Sequence, residues 1–475
     1  MNCSQTASIR PGTDQDPEVI NALFLCDEWK SSKGGLSTFN RELAINLAKS
    51  PSKRINVHCY VPQSDELDRE DAKQHGVNLI TAPKIPGSTD PLECLKIPPP
   101  LQALHVVIGH GRKFGLPAYF IANNTKCKFI QFLHVFCEDL GKYKMEKRSV
   151  EDTIDENEDK HRLEKELCEA ADMVCGVGSS LQAKYQNCLP PGINVQVFTP
   201  GIFESFARPP LCCPPELRSL GEQGLVADQD AEFRVFVFGR LTLEDLPVKG
   251  FDIIAKAIAS LGEGFNLTIV GSPPGKQRRM EEWFLTETKI TREQLTIRRY
   301  CDQQELKGMF QEADLVALPS RAEGFGLVAL EAISAAVPVL VSKLSGIAKS
   351  LQKVESGGSV IVNSQQPQEW ATKILHLSQQ SLQKRSENAI QLRENYGKIY
   401  SWKDGCESFE RMIISVLEGM WANAQYRWMK SQLWGWRGRG EGKGIRTSHF
   451  LYSTLLLPVP LSYDSHPCQS CSHPL

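Results

Sequence analysis

The sequence predicts an α/β protein built as two Rossmann-like, doubly wound domains with a cleft between them. The chain has 475 residues, which at roughly 150 residues per domain is too long for a single hydrophobic core. Short apolar runs alternate with amphipathic segments in both halves, a pattern typical of parallel sheets covered by helices. A proline-rich stretch from Arg208 to Glu232 interrupts this alternation. It predicts a connection between two domains of similar construction.

The first half of the chain contains six strand candidates. They are ALFLC ending at Cys26, INVHCYV from Ile55, VNLITA from Val77, VVIG from Val106, FIQFLHVF from Phe129 and MVCGVG from Met173. The helix expected after the first run has Phe39, Leu43 and Leu47 on one stripe, with Arg41, Glu42 and Asn46 elsewhere on its surface. Its apolar stripe should pack against the sheet. The charged stretch from Lys142 to Glu169 is typical of a solvated helix face.

The second half contains six more strand candidates, each followed by a helix-like segment. They are RVFVFGR, FNLTIVG, LTIRRY, DLVALPS, PVLVSK and SVIVNS. The expected segments of the whole chain are a flexible N-terminus at 1–19, a first domain at 20–204, a linker at 205–232, a second domain at 233–400, a closing helix at 401–420 and a disordered tail at 421–475. A cleft between two such domains is the natural ligand site.

Composition narrows the class of protein. The net charge of -2 gives no general electrostatic case for a nucleic-acid partner. The 15 cysteines are spread along the chain, which favours reduced thiols over a disulfide framework. No apolar run has the length of a signal peptide or of a transmembrane helix. We therefore expect a cytoplasmic protein without a transmembrane segment.

The most informative segment is ADLVALPSRAEGFGLVALEAISAAVPVLVS, from Ala313 to Ser342. A buried strand should end at its Pro-Ser pair, and a glycine-rich loop should then lead into a helix that begins near Leu327. The N–H groups at the start of such a helix favour an anion such as phosphate. Glu323 and Glu331 flank this position, where carboxylates are suited to accept hydrogen bonds from sugar and ribose hydroxyls. The pattern indicates a nucleotide-sugar site, and the alternative is an ordinary strand-to-helix turn with two solvated glutamates.

Two cations surround the first loop of the same domain. In VFVFGRLTLEDLPVKGFDIIAKAI, Arg240 and Lys249 follow a predicted strand and precede a helix. Ligands of doubly wound sheets bind at the carboxyl ends of the strands. The two side chains could therefore hold a diphosphate, and the alternative is that both are surface charges.

From about Ile20 to Gly419 the chain resembles the retaining GT-B glycosyltransferases often called glycosyltransferase family 4. The resemblance rests on GGLSTFNRELA after the first strand, GRL followed by VKGFD, TIVGSPP, ADLVALPS and above all EGFGLVALE. SW at Ser401 and Trp402, followed by ESFERMIISVLEGM, resembles the final helix that crosses back toward the first domain in this fold. The N-terminal half carries no motif that names an acceptor, so a small molecule, a glycan and a lipid all stay open.

The resemblance implies a role for each matching residue. Glu323 would bind donor-sugar hydroxyls, Glu331 would bind the ribose, and Arg240 and Lys249 would stabilise the departing diphosphate without a metal or other cofactor. The donor would be a nucleotide-diphosphate sugar, with a UDP-sugar expected. The remaining positions implied for the donor site are Gly34, Gly35, Gly324, Phe325, Gly326, Leu327, His134 against the sugar, and Tyr300, Cys301 and Asp302 against the base. For His134 the alternative is a half-buried histidine satisfied by the backbone.

Other classes of enzyme fit the sequence less well. A metal-dependent transferase would use an Asp-x-Asp motif, but the two DQD matches, at 14–16 and 228–230, lie in irregular polar segments away from strand ends. A glycoside hydrolase needs two carboxyl groups about 5 to 9.5 Å apart. Glu323 and Glu331 are eight residues apart, and eight residues of helix rise about 12 Å. A dinucleotide oxidoreductase needs G-x-G-x-x-G after its first strand, and GHGRKFG and GVGSSL miss that spacing.

Two further hypotheses concern the tail and the activity itself. The cluster HPCQSCSH has metal-ligand residue types, but a single short knuckle lacks the two separated ligand pairs of a structural zinc site. The tail also holds Trp421, Trp428, Trp434 and Trp436, which makes it a candidate surface for protein contact. The alternative to an active transferase is a protein of the same fold that binds nucleotide sugars as a sensor or scaffold without transferring them.

Overall fold

A computed structural model describes residues 19–31, 34–143, 150–207 and 232–419, with the backbone alone at 150–157. The first domain is a parallel sheet of seven strands in the order β3-β2-β1-β4-β5-β6-β7. Its strands are β1 Ile20–Leu25, β2 Ile55–Val61, β3 Asn78–Thr81, β4 Val106–His110, β5 Lys128–Leu133, β6 Met173–Val177 and β7 Val195–Phe198. All six predicted strands are confirmed. The seventh, VQVF, was missed because it has only four residues, of which only the first and the last are buried, so it shows neither an apolar run nor a strand period.

Six helices cover this sheet in the described part of the first domain. They are α1 Gly35–Ala48, α2 Glu66–Gln74, α3 Gly111–Thr125, α4 Cys137–Gly141, α5 Val150–Ala170 and α6 Ser179–Cys188. Phe39, Leu43 and Leu47 of α1 are buried, as their spacing predicts. Glu42 was expected on the outer surface of α1, and this expectation is wrong. It is 7% exposed and lies near Lys307 of the second domain, which covers that side of the helix.

The second domain repeats the same construction with six parallel strands in the order β10-β9-β8-β11-β12-β13. The strands are β8 Phe233–Phe238, β9 Phe265–Ser272, β10 Leu295–Arg299, β11 Leu315–Leu318, β12 Val339–Ser342 and β13 Ile361–Val362. The helices are α7 Leu246–Lys249, α8 Phe251–Leu261, α9 Gln277–Thr288, α10 Gln303–Glu312, α11 Leu327–Ser334, α12 Gly346–Leu351, α13 Pro367–Ser378 and α14 Leu382–Ile399. In each sheet the strand order reverses direction beside the domain's first strand, which is where such folds bind ligands. Two Rossmann-like domains are thus confirmed.

The last described helix, α15 Trp402–Leu417, follows the second domain in sequence but packs on the first. Its Phe409 lies 5.3 Å from the ring of Phe132 in β5, and Trp402 lies 6.1 Å from the ring of Phe39 in α1. At the end of α1, Ser50 donates a hydrogen bond of 2.6 Å to the buried carboxylate of Glu410. The helix therefore joins the two halves of the chain through a common aromatic core.

In the charged segment that ends with α5, Glu164 departs from the predicted solvated face among the residues whose side chains the structure describes. Glu164 has no solvent exposure, and burial raises the pKa of its carboxyl to about 7. The Cys137 thiol donates a hydrogen bond of 3.6 Å to Glu164, and the Arg112 guanidinium lies 3.8 Å from it. The prediction of a wholly solvated face is wrong here because α3 and α4 pack over this side of α5.

Several predictions lie outside the described residues. They concern the N-terminus at 1–18, most of the linker at 208–231, both DQD motifs and the chain from 420 onward with its tryptophans and Cys/His cluster. In the described ranges, no helix is both long enough and apolar enough to cross a bilayer.

Candidate functional site

A lysine and a glutamate form the centre of the candidate site. Lys249 ends the short helix α7 that follows β8, and Glu323 lies in the loop after the neighbouring strand β11. The ammonium of Lys249 lies 2.8 Å from Oε2 of Glu323, and Ser320 donates a second hydrogen bond of 3.2 Å to that oxygen. The two charged side chains are 25% and 17% exposed. They are therefore accessible to a ligand yet shielded enough for a strong interaction.

Arg321, adjacent to this centre, ties the two loops together. Its guanidinium donates two hydrogen bonds, of 2.7 and 2.8 Å, to the carboxylate of Asp252 at the start of α8. It also donates to the carbonyl of Pro247, and its backbone N–H donates to the carbonyl of Val248. These contacts hold the Glu323 loop against the helix that carries Lys249. Sequence reasoning missed this pair, although both residues lie inside segments that it singled out.

The glycine-rich loop leads into α11 at the predicted position. Gly326 is the residue immediately before the helix, with φ of 101°, and no side-chain hydrogen bond caps the first turn. Phe325 is buried, and its carbonyl accepts a hydrogen bond of 2.6 Å from the N–H of Ile347. Leu327 begins the helix. An eight-residue helix with an uncapped N-terminus supplies N–H donors and a positive dipole end suited to phosphate.

Glu331, in the second turn of α11, is 4% exposed. Burial raises the pKa of its carboxyl from the ordinary 4.5 to about 8, so the protonated form dominates at neutral pH. The thiol of Cys301 lies close enough for Glu331 to affect it, and burial raises the pKa of that thiol to about 11. Glu331 and Cys301 thus lie together at the side of the site expected to bind the nucleoside.

Arg240 lies on the exposed rim of the site. Its side chain is 67% exposed, and its Nε lies 3.8 Å from Asp245. It is also beside the Tyr300 hydroxyl, whose pKa is raised by partial burial while the guanidinium opposes that rise. Asp302 caps α10, where its carboxylate accepts a hydrogen bond of 2.8 Å from the N–H of Glu305. The Asp302 side chain is therefore occupied, which leaves backbone groups for a base.

The first domain contacts this loop directly. A Cβ on Gly324 would lie 1.8 Å from the carbonyl oxygen of His134, and one on Gly35 would lie 2.9 Å from Leu327. A Cβ on Gly178, at the start of α6, would lie 2.7 Å from the Phe325 ring. Only glycine permits such close approach, and the two domains meet at the Glu323 loop. Gly34 is exposed, with φ of 110° and open space around it.

His134 forms one hydrogen bond within the described residues, to a second histidine. Its Nε2 lies 3.0 Å from Nδ1 of His110, the last residue of β4. Burial lowers the pKa of His134 to about 3 and that of His110 well below its usual range, so both rings are neutral at pH 7. The backbone-satisfied alternative for His134 does not describe this ring. His110 was missed by sequence reasoning, because its partner comes from the next strand.

The predicted residues form a continuous arrangement along the domain contact. Lys249, Glu323 and the 324–327 loop lie at its centre, His134 and Gly35 lie across from them, and Arg240, Tyr300 and Cys301 line one side. Within the described ranges, no cluster of three or more metal-ligating side chains was found.

The chain matches a family model described as family 4 glycosyltransferase in conflict systems, over residues 23–409. It is also similar to the D-inositol 3-phosphate glycosyltransferase of Paenarthrobacter aurescens, with 28% identity over 255 residues that cover 53% of this chain and 54% of that one. The enzyme of the same name from Segniliparus rotundus is 31% identical over 193 residues, 40% of this chain and 38% of that one. The matching segment spans about half the length of the first of these relatives.

Solved structures show the same architecture. Sucrose-phosphate synthase from Thermosynechococcus elongatus superposes with a TM-score of 0.64 at 17% identity, covering 84% of this chain and all of that one. Anabaena Alr3699/HepE in complex with UDP and glucose superposes with a TM-score of 0.58 at 19% identity, covering 83% of this chain and all of that one. At these identities the similarity establishes the fold.

Proposed function

Because the chain belongs to the family 4 glycosyltransferases of conflict systems, we propose that it transfers a sugar, with retention of configuration, from a nucleotide-diphosphate sugar to an acceptor bound by the first domain. The observation that carries this proposal is the Lys249–Glu323 pair at the carboxyl edge of the second sheet, next to Gly324, which packs against the His134 carbonyl of the first domain. It combines a cation for a leaving group with a carboxylate for hydroxyls. A UDP-sugar is the expected donor, since Anabaena HepE binds UDP and glucose in the same fold.

In the proposed reaction, the diphosphate lies between the uncapped N-terminus of α11 and the side chains of Lys249 and Arg240. As the bond from the anomeric carbon to the diphosphate oxygen breaks, negative charge grows on that oxygen. The acceptor hydroxyl oxygen bonds to the same carbon, and its proton passes to the departing diphosphate. Positioned cations and helix N–H groups stabilise this charge more in the transition state than in the bound donor. We therefore propose that this chain's own residues supply the stabilisation without a metal.

Glu323 has a second role in this proposal. Its carboxylate accepts hydrogen bonds from Lys249 and Ser320. A bound sugar would present hydroxyls to the same oxygens, while the ammonium turns to the diphosphate. Glu331 would hold the ribose, and backbone groups at Tyr300–Asp302 would meet the base. The acceptor, the cytoplasmic location and any protein contact of the tail stay predictions.

The first experiment measures nucleotide-diphosphate release from a panel of UDP-, GDP- and ADP-sugars in the presence of a chelator. D-inositol 3-phosphate, the acceptor in the relatives' names, is added in a parallel series. We expect release from one donor by the intact chain and strong loss in Arg240→Ala. Arg234→Ala is the matched control, because Arg234 is the second residue of β8, at the opposite edge of the same sheet, and its side chain is 50% exposed.

Each outcome of this panel separates the hypotheses. Nucleotide-diphosphate release that occurs without the chelator and stops when the chelator is added contradicts the metal-free part of the proposal. Binding of one donor without release, with and without acceptor, favours the sensor or scaffold alternative. Proton NMR of the released sugar then tests retention, since an α-linked donor should first give the α anomer.

A further inference from the structure

Two neutral histidines share one hydrogen bond on the first-domain side of the site. His110 ends β4 and His134 follows β5, and because these parallel strands are neighbours, both residues lie at one edge of the sheet. The distance from His110 Nδ1 to His134 Nε2 is 3.0 Å. Each neutral imidazole carries one proton, so one of the two rings donates and the other accepts.

Aromatic rings hold His110 in place. Phe132 stacks on it with centroids 5.3 Å apart and planes inclined by 25°, and Phe39 contacts it edge-on. Phe409 of α15 packs in turn against Phe132. His110 has no solvent exposure, and its Nε2 has no hydrogen-bond partner among the described residues. His134 is half-buried and is also contacted edge-on by Phe39, at 5.1 Å.

The unpartnered Nε2 decides where the protons lie. If His134 donated from Nε2, His110 would accept at Nδ1 and carry its own proton on Nε2, which would be a buried donor without an acceptor. If His110 donates from Nδ1, its Nε2 is unprotonated and no buried N–H is left unpaired. Buried donors without acceptors are rarer in proteins than under-used acceptors. The second arrangement leaves the proton of His134 on Nδ1.

We propose that His110 is a positioning residue for sugar transfer, which donates its Nδ1 proton to His134 and so keeps His134 with its proton on Nδ1 for a hydroxyl oxygen of the donor sugar. This inference rests on the proposed function. It also rests on the position of His134, whose backbone carbonyl packs against Gly324, the neighbour of Glu323. A partner that fixes the tautomer and orientation of a working histidine acts through that histidine and touches no substrate.

Nitrogen NMR of the ligand-free protein tests the tautomer without any assumption about activity. The chain is labelled with ¹⁵N-histidine, and the His134 signal is assigned by its loss in His134→Gln. We expect the Nδ1–H tautomer for His134 in the intact chain. We expect the Nε2–H tautomer, which histidine favours in water, in His110→Phe. Finding Nε2–H in the intact chain would overturn the proposal.

Kinetics with the donor identified by the release panel test the positioning role. His110→Phe keeps a ring against Phe132 without the hydrogen bond and should lower kcat by about 10- to 100-fold with little change in KM. His110→Asn, whose amide N–H can replace Nδ1–H, should stay within about 5-fold of the intact chain. In a His134→Ala background, His110→Phe should cause no further loss.

An equal additional loss in the His134→Ala background, or full activity of His110→Phe, would contradict a role through His134. If His110→Phe does not fold, the tautomer of the intact chain and the His110→Asn rate still decide the matter. If the intact chain cleaves no donor, the proposed function fails, whereas the tautomer prediction is still decided by NMR.

Discussion

At the scale of single residues, the proposed function gives the Lys249–Glu323 pair two groups of one substrate to bind. Each side chain neutralises the other in this contact, so neither is left as an isolated, partly buried charge. A donor with negative phosphates and neutral hydroxyls can give each side chain a new partner at once: the phosphates bind Lys249 and the hydroxyls bind Glu323. A neutral sugar alone offers no anion to Lys249, so we expect the ion pair between Lys249 and Glu323 to persist in its presence.

Replacing Glu323 should therefore remove activity more than fold. We expect Glu323→Ala to lower the rate of donor cleavage by at least about 100-fold, which corresponds to about 2.7 kcal/mol of transition-state stabilisation. Arg240→Ala should lower the rate of donor cleavage by a similar factor, because it removes one positioned cation. Steady-state rates with the identified donor measure both. The control is Glu387→Ala on the exposed face of α14, and turnover of Glu323→Ala equal to that of this control would refute the assignment.

Glu331 should make stability depend on pH. Its folded-state pKa of about 8 lies above the ordinary 4.5, so the folded protein holds a proton that the unfolded chain releases. Its contribution to stability is fully present below pH 4.5 and is lost as pH rises through about 8. Over this window the loss is on the order of 1 kcal/mol per pH unit.

Thermal unfolding between pH 5 and pH 9 measures this effect. Glu331→Gln keeps the shape of the side chain but does not titrate, so the intact chain should lose stability relative to this variant as pH rises. Parallel pH profiles for the two proteins would show that Glu331 is not a buried titrating acid. Donor binding should tighten toward pH 8 in the intact chain alone, because ribose hydroxyls need the ionised carboxylate as acceptor.

At the scale of elements, the start of α6 and the loop before α11 meet where only a glycine fits. Gly178→Ala should push Phe325 away and separate the two domains at the Glu323 loop, since its Cβ would lie 2.7 Å from that ring. We expect about a 10-fold lower kcat. Gly192→Ala is the control, because Gly192 also has positive φ, 103° against 83°, but has nothing within 4 Å.

The comparison of these two variants isolates the contact from the backbone strain that both share. Equal effects of Gly178→Ala and Gly192→Ala on kcat would argue against a functional contact between α6 and the loop. Recovery of the Gly178→Ala rate in combination with Phe325→Leu would identify the ring as the obstacle.

The sequence predicts most elements of the fold because strand periodicity is a local property. The run INVHCYV became β2 without a residue of difference, and α11 begins at Leu327 as expected. β7 was missed because it has only four residues and is buried only at its two ends, which is too short a pattern to show a strand period. Glu42 and Glu164 were placed in solvent because their burial depends on helices distant in sequence. His110 and Arg321 were not predicted as site residues for the same reason, because their partners are distant in sequence.

At the scale of the whole molecule, the site exists only where the two domains meet. The second domain provides Arg240, Lys249 and Glu323, whereas the first contributes the His134 segment. Helix α15 supports this arrangement, since its Phe409 packs on Phe132, which stacks on His110. The site residues that were predicted from their positions after strands therefore come together only through the contact between the two domains.

The decisive experiment is a crystal structure with the identified nucleotide diphosphate and its sugar. We expect the diphosphate within hydrogen-bond distance of Lys249 and Arg240 at the N-terminus of α11, with the sugar between Glu323 and His134. A nucleotide bound at the edge of the first sheet, or a sugar remote from Glu323, would refute the proposed site.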